Sequence, residues 1–179
     1  DVASFEPRFE GGGSGFVFLG TLSKNKGVDI AVRTANALGK PLIIAGEIRE
    51  SDKDFLNKEV FPLINGKSIR FVGEIGHQEK SILLREADAL LFPSRWNEAF
   101  GLVVAEALAC GTPVVALGNG SVPEIIRDEV TGFIASDEET FIKAALDVGK
   151  LSRKDARKDV EDRFDLLRMA KKYLEVYQL

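Results

Sequence analysis

"ALLFPSRWNEAFGLVVAEALACGTPVVAL", residues 89–117, sets two short apolar runs on either side of a helical segment. "ALLFPS" and "PVVAL" have no polar alternation, so each predicts a strand covered on both faces, as in a parallel sheet. "GLVVAEALACG" between them reads as a helix with an apolar body. Two carboxylates interrupt this pattern: Glu98 stands at the lip of the helix and Glu106 in its body. An unpartnered buried carboxylate would cost several kcal/mol, so Glu106 needs a partner or an exit to a cleft.

The same alternation extends outward. "FVFLG" from Phe16, "PLIIAG" from Pro41, "IRFVG" from Ile69 and "GFIA" from Gly132 are further strand candidates. Val28, Ala31, Val32, Ala35 and Leu38 recur at helical spacing, Asp29 and Arg33 form an i,i+4 pair, and Gly39 stands where a C-terminal cap belongs. Ser51 and Asp54 make a capping-box-like start for a second helix, which Pro62 should end or kink. From Phe164 a terminal helix carries Leu167, Ala170, Leu174 and Tyr177 on one face, which must pack on this domain or on a neighbour. The pattern predicts an α/β fold: a Rossmann-like, doubly wound parallel sheet of about six strands, helices on both faces and a C-terminal helix. The glycine cluster "EGGGSG" (10–15) precedes a strand instead of following one, so it reads as a flexible linker and not as a phosphate loop. Residues 1–15 are then an entry segment and 16–179 one domain.

Composition narrows the function classes. At 179 residues, 45% hydrophobic and 29% charged, the chain is an ordinary globular mixture with no apolar run able to span a bilayer. A formal charge of -4, without a Lys/Arg stripe interleaved with aromatics, lacks the footprint of a nucleic-acid binder. "RKDARKDVEDR" (153–163) mixes both signs and reads as a solvated helix face. One Cys, Cys110, and one His, His77, make neither an internal disulfide nor a metal cluster, which suits a reducing cytoplasm. Cys110 reads as a packed apolar group and His77 as a solvated first-turn residue. Asp at position 1 gives the look of a cut fragment, with no signal peptide to read.

Two stretches suit anion chemistry. "GTLSKNKGVD", Gly20 to Asp29, runs from the first strand into the first helix, whose N-terminus offers unpaired amides and a positive dipole end; Gly20 and Thr21 are candidate contacts, and Lys26 adds a full charge. The amides of Phe100, Gly101, Leu102 and Val103 form a second such cluster, with Glu98 beside it. That carboxylate would repel a bare phosphate but could accept from sugar hydroxyls next to one. If the strands lie in the order 3-2-1-4-5-6, the first and fourth flank the topological switch point, and both stretches open onto one crevice.

At these residues the chain resembles the C-terminal, donor-binding half of a GT-B retaining glycosyltransferase of family 4, whose members carry a Glu-x7-Glu motif. "FLGTLSKNKGVD", "PLIIAGE", the block from Ile69 to Ala116, "GSVPEIIRDEVTGFI" and "RFDLLRMAKKYLEVY" resemble family blocks in order. The resemblance implies that Glu98 contacts hydroxyls of the donor sugar, the following amides hold the diphosphate and Glu106 accepts from the nucleotide ribose. It implies that Gly73, Glu74 and Ile75 meet the base, and that Lys26 offsets leaving-group charge without a metal or cofactor. The acceptor would sit on an N-terminal domain outside this sequence. Two positions depart from the pattern: Thr21 replaces a usual arginine, and Ala99 a frequent proline. Trp96 reads equally as an edge of the sugar site or a loop cover, and Glu124 as a helix-start acid that could aid the sugar pocket. The rival reading is a non-catalytic or designed nucleotide-binding domain of the same fold. A dehydrogenase is remote, because no Gly-x-Gly-x-x-Gly follows the first strand.

Overall fold

In the computed structural model, which describes residues 1–10 and 12–178, the six apolar runs are the six strands of one sheet. They are β1 (Phe16–Leu19), β2 (Leu42–Ala45), β3 (Ile69–Phe71), β4 (Ala89–Phe92), β5 (Val114–Leu117) and β6 (Gly132–Ala135). Every pairing is parallel and the order is β3-β2-β1-β4-β5-β6, which puts the switch point between β1 and β4. β1, β4 and β5 are buried at every position, as strands covered on both faces must be.

Successive side chains feed two cores. Val17, Leu19, Leu90, Phe92, Val114 and Ala116 face one, together with Leu84 of α3 (His77–Glu86), Val104 and Leu108 of α4 (Leu102–Ala109), and Ala156 and Val160 of α7 (Arg153–Phe164). Phe16, Phe18, Ala89, Leu91, Val115 and Leu117 face the other, together with Val28, Ile30 and Val32 of α1 (Val28–Leu38) and Phe141 of α6 (Glu138–Asp147). Helices therefore cover both faces of the sheet. Full burial of side chains of this kind contributes about 1.5–3 kcal/mol each. Cys110 is completely buried between α4 and α3, and burial pushes its thiol up to about 11, so it is an inert packing group as expected.

The α1 reading holds in detail. Asp29 and Arg33 pair at 2.9 Å, and Gly39 caps the helix in the left-handed region. Three other expectations are corrected. No capping box forms at Ser51 and Asp54; the segment begins at Arg49, which makes no side-chain cap bond, as a 3₁₀ turn (Glu50–Asp52). It continues as α2 (Lys53–Phe55), a π turn (Leu56–Val60) and a 3₁₀ turn (Phe61–Leu63) that contains Pro62. Second, α7 is a solvated face only in part: Lys154, Asp155, Lys158, Glu161 and Asp162 are exposed, but Arg153, Arg157 and Arg163 are half-buried. Arg153 donates to the carbonyls of Arg8, Arg85 and Ala87 and to Thr112 Oγ1 at 2.7–2.8 Å, and Arg157 to those of Val2, Phe5 and Ala109. Its mixed charge hides long side chains that reach backbone acceptors from distant parts of the chain. Third, the glycine segment is held rather than free over residues 12–15: Gly13 N donates to the Asp88 carboxylate, and Asp88 N to Gly15 O at 2.7 Å. Gly11 lies outside the described residues.

The entry segment also joins the core, with Val2 and Phe5 buried against α4 and α7. After the short α5 (Val122–Ile125) and the elements above, the chain ends in α8 (Leu166–Tyr177). Leu167, Leu174 and Tyr177 on that helix are exposed, so its apolar face is not covered within the described residues.

Candidate functional site

A parallel sheet sends all its strand-to-helix loops to one edge, and here three of them are stitched together at the switch point. Gly27 has φ 74°, a left-handed value, and a Cβ there would strike the carbonyl of Pro93 at the end of β4. Glycine thus lets the β1 loop lie directly on the β4 loop. Arg95 N donates to Asn25 O at 2.8 Å, and the Arg95 guanidinium reaches Lys24 O at 2.6 Å and both carboxylate oxygens of Asp29 at 2.8 Å. From the β5 side, Ser121 N donates to Glu98 O at 3.0 Å and Asn119 Nδ2 to Ser94 O at 2.8 Å. A Cβ at Gly120, φ 57°, would lie 2.5 Å from Glu98 N, so this contact also depends on glycine.

The outcome is that Lys26 and Glu98 meet. Lys26 Nζ donates to Glu98 Oε1, which also accepts from Ser94 Oγ at 3.0 Å. One-third of the Lys26 side chain and 14% of the Glu98 side chain remain exposed. Beside them α4 begins after Gly101, and the amides of Phe100, Gly101, Leu102 and Val103 make no hydrogen bond among the described residues; the first ladder bond is Val104 N to Gly101 O at 2.9 Å. A cation, a carboxylate and a row of unpaired amides at a helix N-terminus can hold an anion with hydroxyls next to it.

The remaining expected residues are placed on the same edge. Gly20 closes β1 by donating to Ala45 O at 3.1 Å, Thr21 is half-buried, and Gly73 accepts from Gly46 N at 2.9 Å. Glu74 is exposed, while Ile75 packs partly against the core just before α3. Leu102 is 71% exposed, Val103 half-buried, and Phe100 meets Phe164 edge-on at 5.7 Å. Trp96 is exposed at 59%, and Glu124 lies in the first turn of α5. His77 opens α3, exposed as expected, with its ring against Phe5.

Glu106 has the partner its position required: Lys80 of α3 donates to Glu106 Oε1 at 2.6 Å. Neither Lys80 nor Arg95 stands out in the sequence. The demand of Glu106 for a counter-charge is the available signal for the first; the second is concealed because Asp29 already has a helical partner in Arg33. Arg95 does not replace the guanidinium missing at Thr21, since Asp29 holds it.

Asp29 titrates abnormally. Burial pushes its carboxyl up, but the hydrogen bonds and charges of Arg95 and then Arg33 outweigh this and leave it below the usual 3.8. With the folded pKa depressed, its contribution to stability is present above the unfolded value and is lost as pH falls through the folded one. Asp29→Asn should therefore flatten the loss of stability below about pH 4, as read by urea midpoints; an unchanged acid limb would contradict this.

A cavity of about 590 Å³ lies at the other edge of the sheet, lined by Phe16, Lys40, Asp88, Pro113 and Arg153 among others, and contains none of these residues.

Comparison with known proteins places the chain in a family and a fold. The family described as "Glycosyl transferases group 1" matches residues 3–162. The D-inositol 3-phosphate glycosyltransferase of Mycobacterium tuberculosis is 37% identical over 126 residues, covering 68% of this chain and 26% of the relative. The chain thus spans about a quarter of the length of the curated relatives it matches. Among solved structures, sucrose-phosphate synthase from Thermosynechococcus elongatus superposes with a TM-score of 0.82 at 23% identity, over 99% of this chain and 51% of that one. Anabaena Alr3699/HepE in complex with UDP-glucose superposes with a TM-score of 0.76 at 21% identity, over 92% and 48%. The chain belongs to the glycosyl transferases group 1 family.

Proposed function

We propose that this chain is the donor-binding half of a retaining, metal-independent glycosyltransferase of GT-B architecture and family 4. It takes a hexose from a nucleoside diphosphate sugar and delivers it to an acceptor held by an N-terminal domain outside this sequence. A cytoplasmic location is part of the same reading. The observation that carries it is the Lys26–Glu98 contact beside the unpaired amides of Phe100 to Val103 at the switch point. Binding a donor exchanges partners: Lys26 leaves Glu98 for the diphosphate, and Glu98 turns to the sugar hydroxyls. Each charge is then held by a new opposite charge or hydrogen bond, so neither is left unpartnered in a half-buried site. As the glycosidic bond breaks, negative charge builds on the diphosphate, to which Lys26 and the amides are already bound once the donor is seated; charges set before the step need no reorganisation in the transition state. Glu106 takes the ribose, and Gly20, Thr21 and Gly73 to Ile75 line the phosphate and base ends.

Relatives support the ligand class: the Anabaena protein is a complex with UDP-glucose. In this reading the charge-neutralising role falls to Lys26, whose ammonium lies at the switch point beside the unpaired amides. Calorimetry with UDP-, GDP- and ADP-sugars should find one that binds with the same affinity before and after a chelator is added. Loss of binding with the chelator, or no binding in any of the three series, would overturn the reading. The rival, a non-catalytic nucleotide-binding domain, predicts binding but no transfer after an acceptor domain is restored.

Glu106→Gln should weaken binding of the preferred nucleotide by about 1–3 kcal/mol, the worth of a hydrogen bond to a charged acceptor, and leave the melting transition cooperative. Unchanged affinity would remove Glu106 from the site.

A further inference from the structure

The carboxylate of Glu106 is tied to the α3 helix by one side chain. Lys80, in the first turn of α3, donates to Glu106 Oε1 at 2.6 Å, with 27% and 22% of the two side chains exposed. Its ammonium also lies 5.9 Å from the centroid of the Phe5 ring, within cation–π range. Phe5 is 7% exposed and meets the His77 ring edge-on at 4.9 Å, so the aromatic ring against which Lys80 rests is itself fixed. Residues 73–75 lead directly into this turn.

We propose that Lys80 is a positioning residue for the nucleoside: it holds one oxygen of Glu106 so that the other is presented to the ribose hydroxyls. The inference rests on the assignment of Glu106 to the ribose. A glutamate has three rotatable side-chain bonds, and ordering a side chain of this kind costs up to about 2 kcal/mol of rotamer entropy. A carboxylate already anchored at Oε1 has met much of that cost before the nucleotide arrives. Oε2 has no hydrogen-bond partner among the described residues and keeps its lone pairs for a ligand. Lys80 is suited to this task because its own position is set from two sides, by the Glu106 oxygen and by the Phe5 ring.

The test is calorimetry on the full chain with UDP, GDP and ADP, each beside its 2',3'-dideoxy counterpart, for wild type, Lys80→Met, Lys80→Gln, Lys80→Arg, Glu106→Gln and the Lys80→Met/Glu106→Gln double variant. For the nucleotide that binds, Lys80→Met should lose about five- to tenfold in affinity for the ribose form and little for the dideoxy form. Lys80→Arg should recover most of the loss, and the double variant should be no weaker than Glu106→Gln alone. If Lys80→Met does not fold, Lys80→Gln is read by the same criteria. Equal losses for ribose and dideoxy forms would make Lys80 a general structural residue and overturn the inference. So would unchanged affinity in the Lys80 variants while Glu106→Gln still loses the ribose form selectively, an outcome that leaves the ribose assignment intact. If Glu106→Gln itself fails to separate the two forms, or if none of the three nucleotides binds, the ribose assignment falls and this inference with it.

Discussion

Arg153→Ala is expected to destabilise the chain by about 2–4 kcal/mol, although it removes a charged residue from a helix that is rich in them. The guanidinium is half-buried, and burial together with the neighbouring Arg8 charge lowers its pKa. Among the described residues it forms no salt bridge with an acid; its partners are the carbonyls of Arg8, Arg85 and Ala87 and the Thr112 hydroxyl. Those carbonyls come from the entry segment and from the end of α3, and the helix carrying the arginine packs on α4. Truncation leaves three acceptors short of their donor, each costing about 1–3 kcal/mol where water cannot reach and less where it can. Thr112 loses less, because its hydroxyl still donates to Leu84 O at 2.5 Å. Urea denaturation monitored by circular dichroism measures the effect. Arg153→Lys should recover only part of it, since one ammonium cannot span acceptors that a planar fork reaches together. A change of less than about 0.5 kcal/mol, the ordinary effect of an exposed substitution, would return the helix to the status of a solvated face.

The contrast between that arginine and the strands explains how far the sequence could be read. Uninterrupted apolar runs have one stable use in a chain with helices between them, so β1 to β6 and the doubly wound order were legible from residues such as Val17, Leu90 and Val115. The meeting of the Lys26 and Glu98 loops followed from that order, because topology alone brings the ends of β1 and β4 together. Arg153 and Arg157 were not legible, because a run of mixed charge looks the same whether its side chains reach water or distant carbonyls. The stretch from Glu50 to Leu63 failed for another reason: Ser51 and Asp54 offer a cap locally, but the chain winds through 3₁₀, α and π turns in which that cap has no helix to serve. Lys80 lay between. Glu106 announced that it needed a partner, but which of the chain's cations would answer depended on how α3 packs on α4.

The purified chain by itself is expected to bind donor and to show no acceptor-dependent transfer. Transfer requires the acceptor hydroxyl to be held against the anomeric carbon in near-attack geometry, and such positioning contributes about 7–11 kcal/mol toward lowering a barrier. In the function proposed above, the groups on the loop edge act on the other side of that bond: Lys26 and the amides of Phe100 to Val103 are assigned to the departing diphosphate, Glu98 to the sugar, and Glu106 with Lys80 to the nucleoside. Each lies on the loop edge of a single sheet, at or beside its switch point. The matched relatives are about four times longer than the region this chain covers, which leaves room in them for the second surface. If the acceptor side lies outside these residues, as proposed, the expected residual reaction is slow release of sugar to water, at a rate independent of added acceptor. Product analysis with labelled donor, with and without acceptor, measures this directly. Efficient turnover that rises with acceptor concentration would place the acceptor site within these 179 residues and overturn the division of labour proposed here.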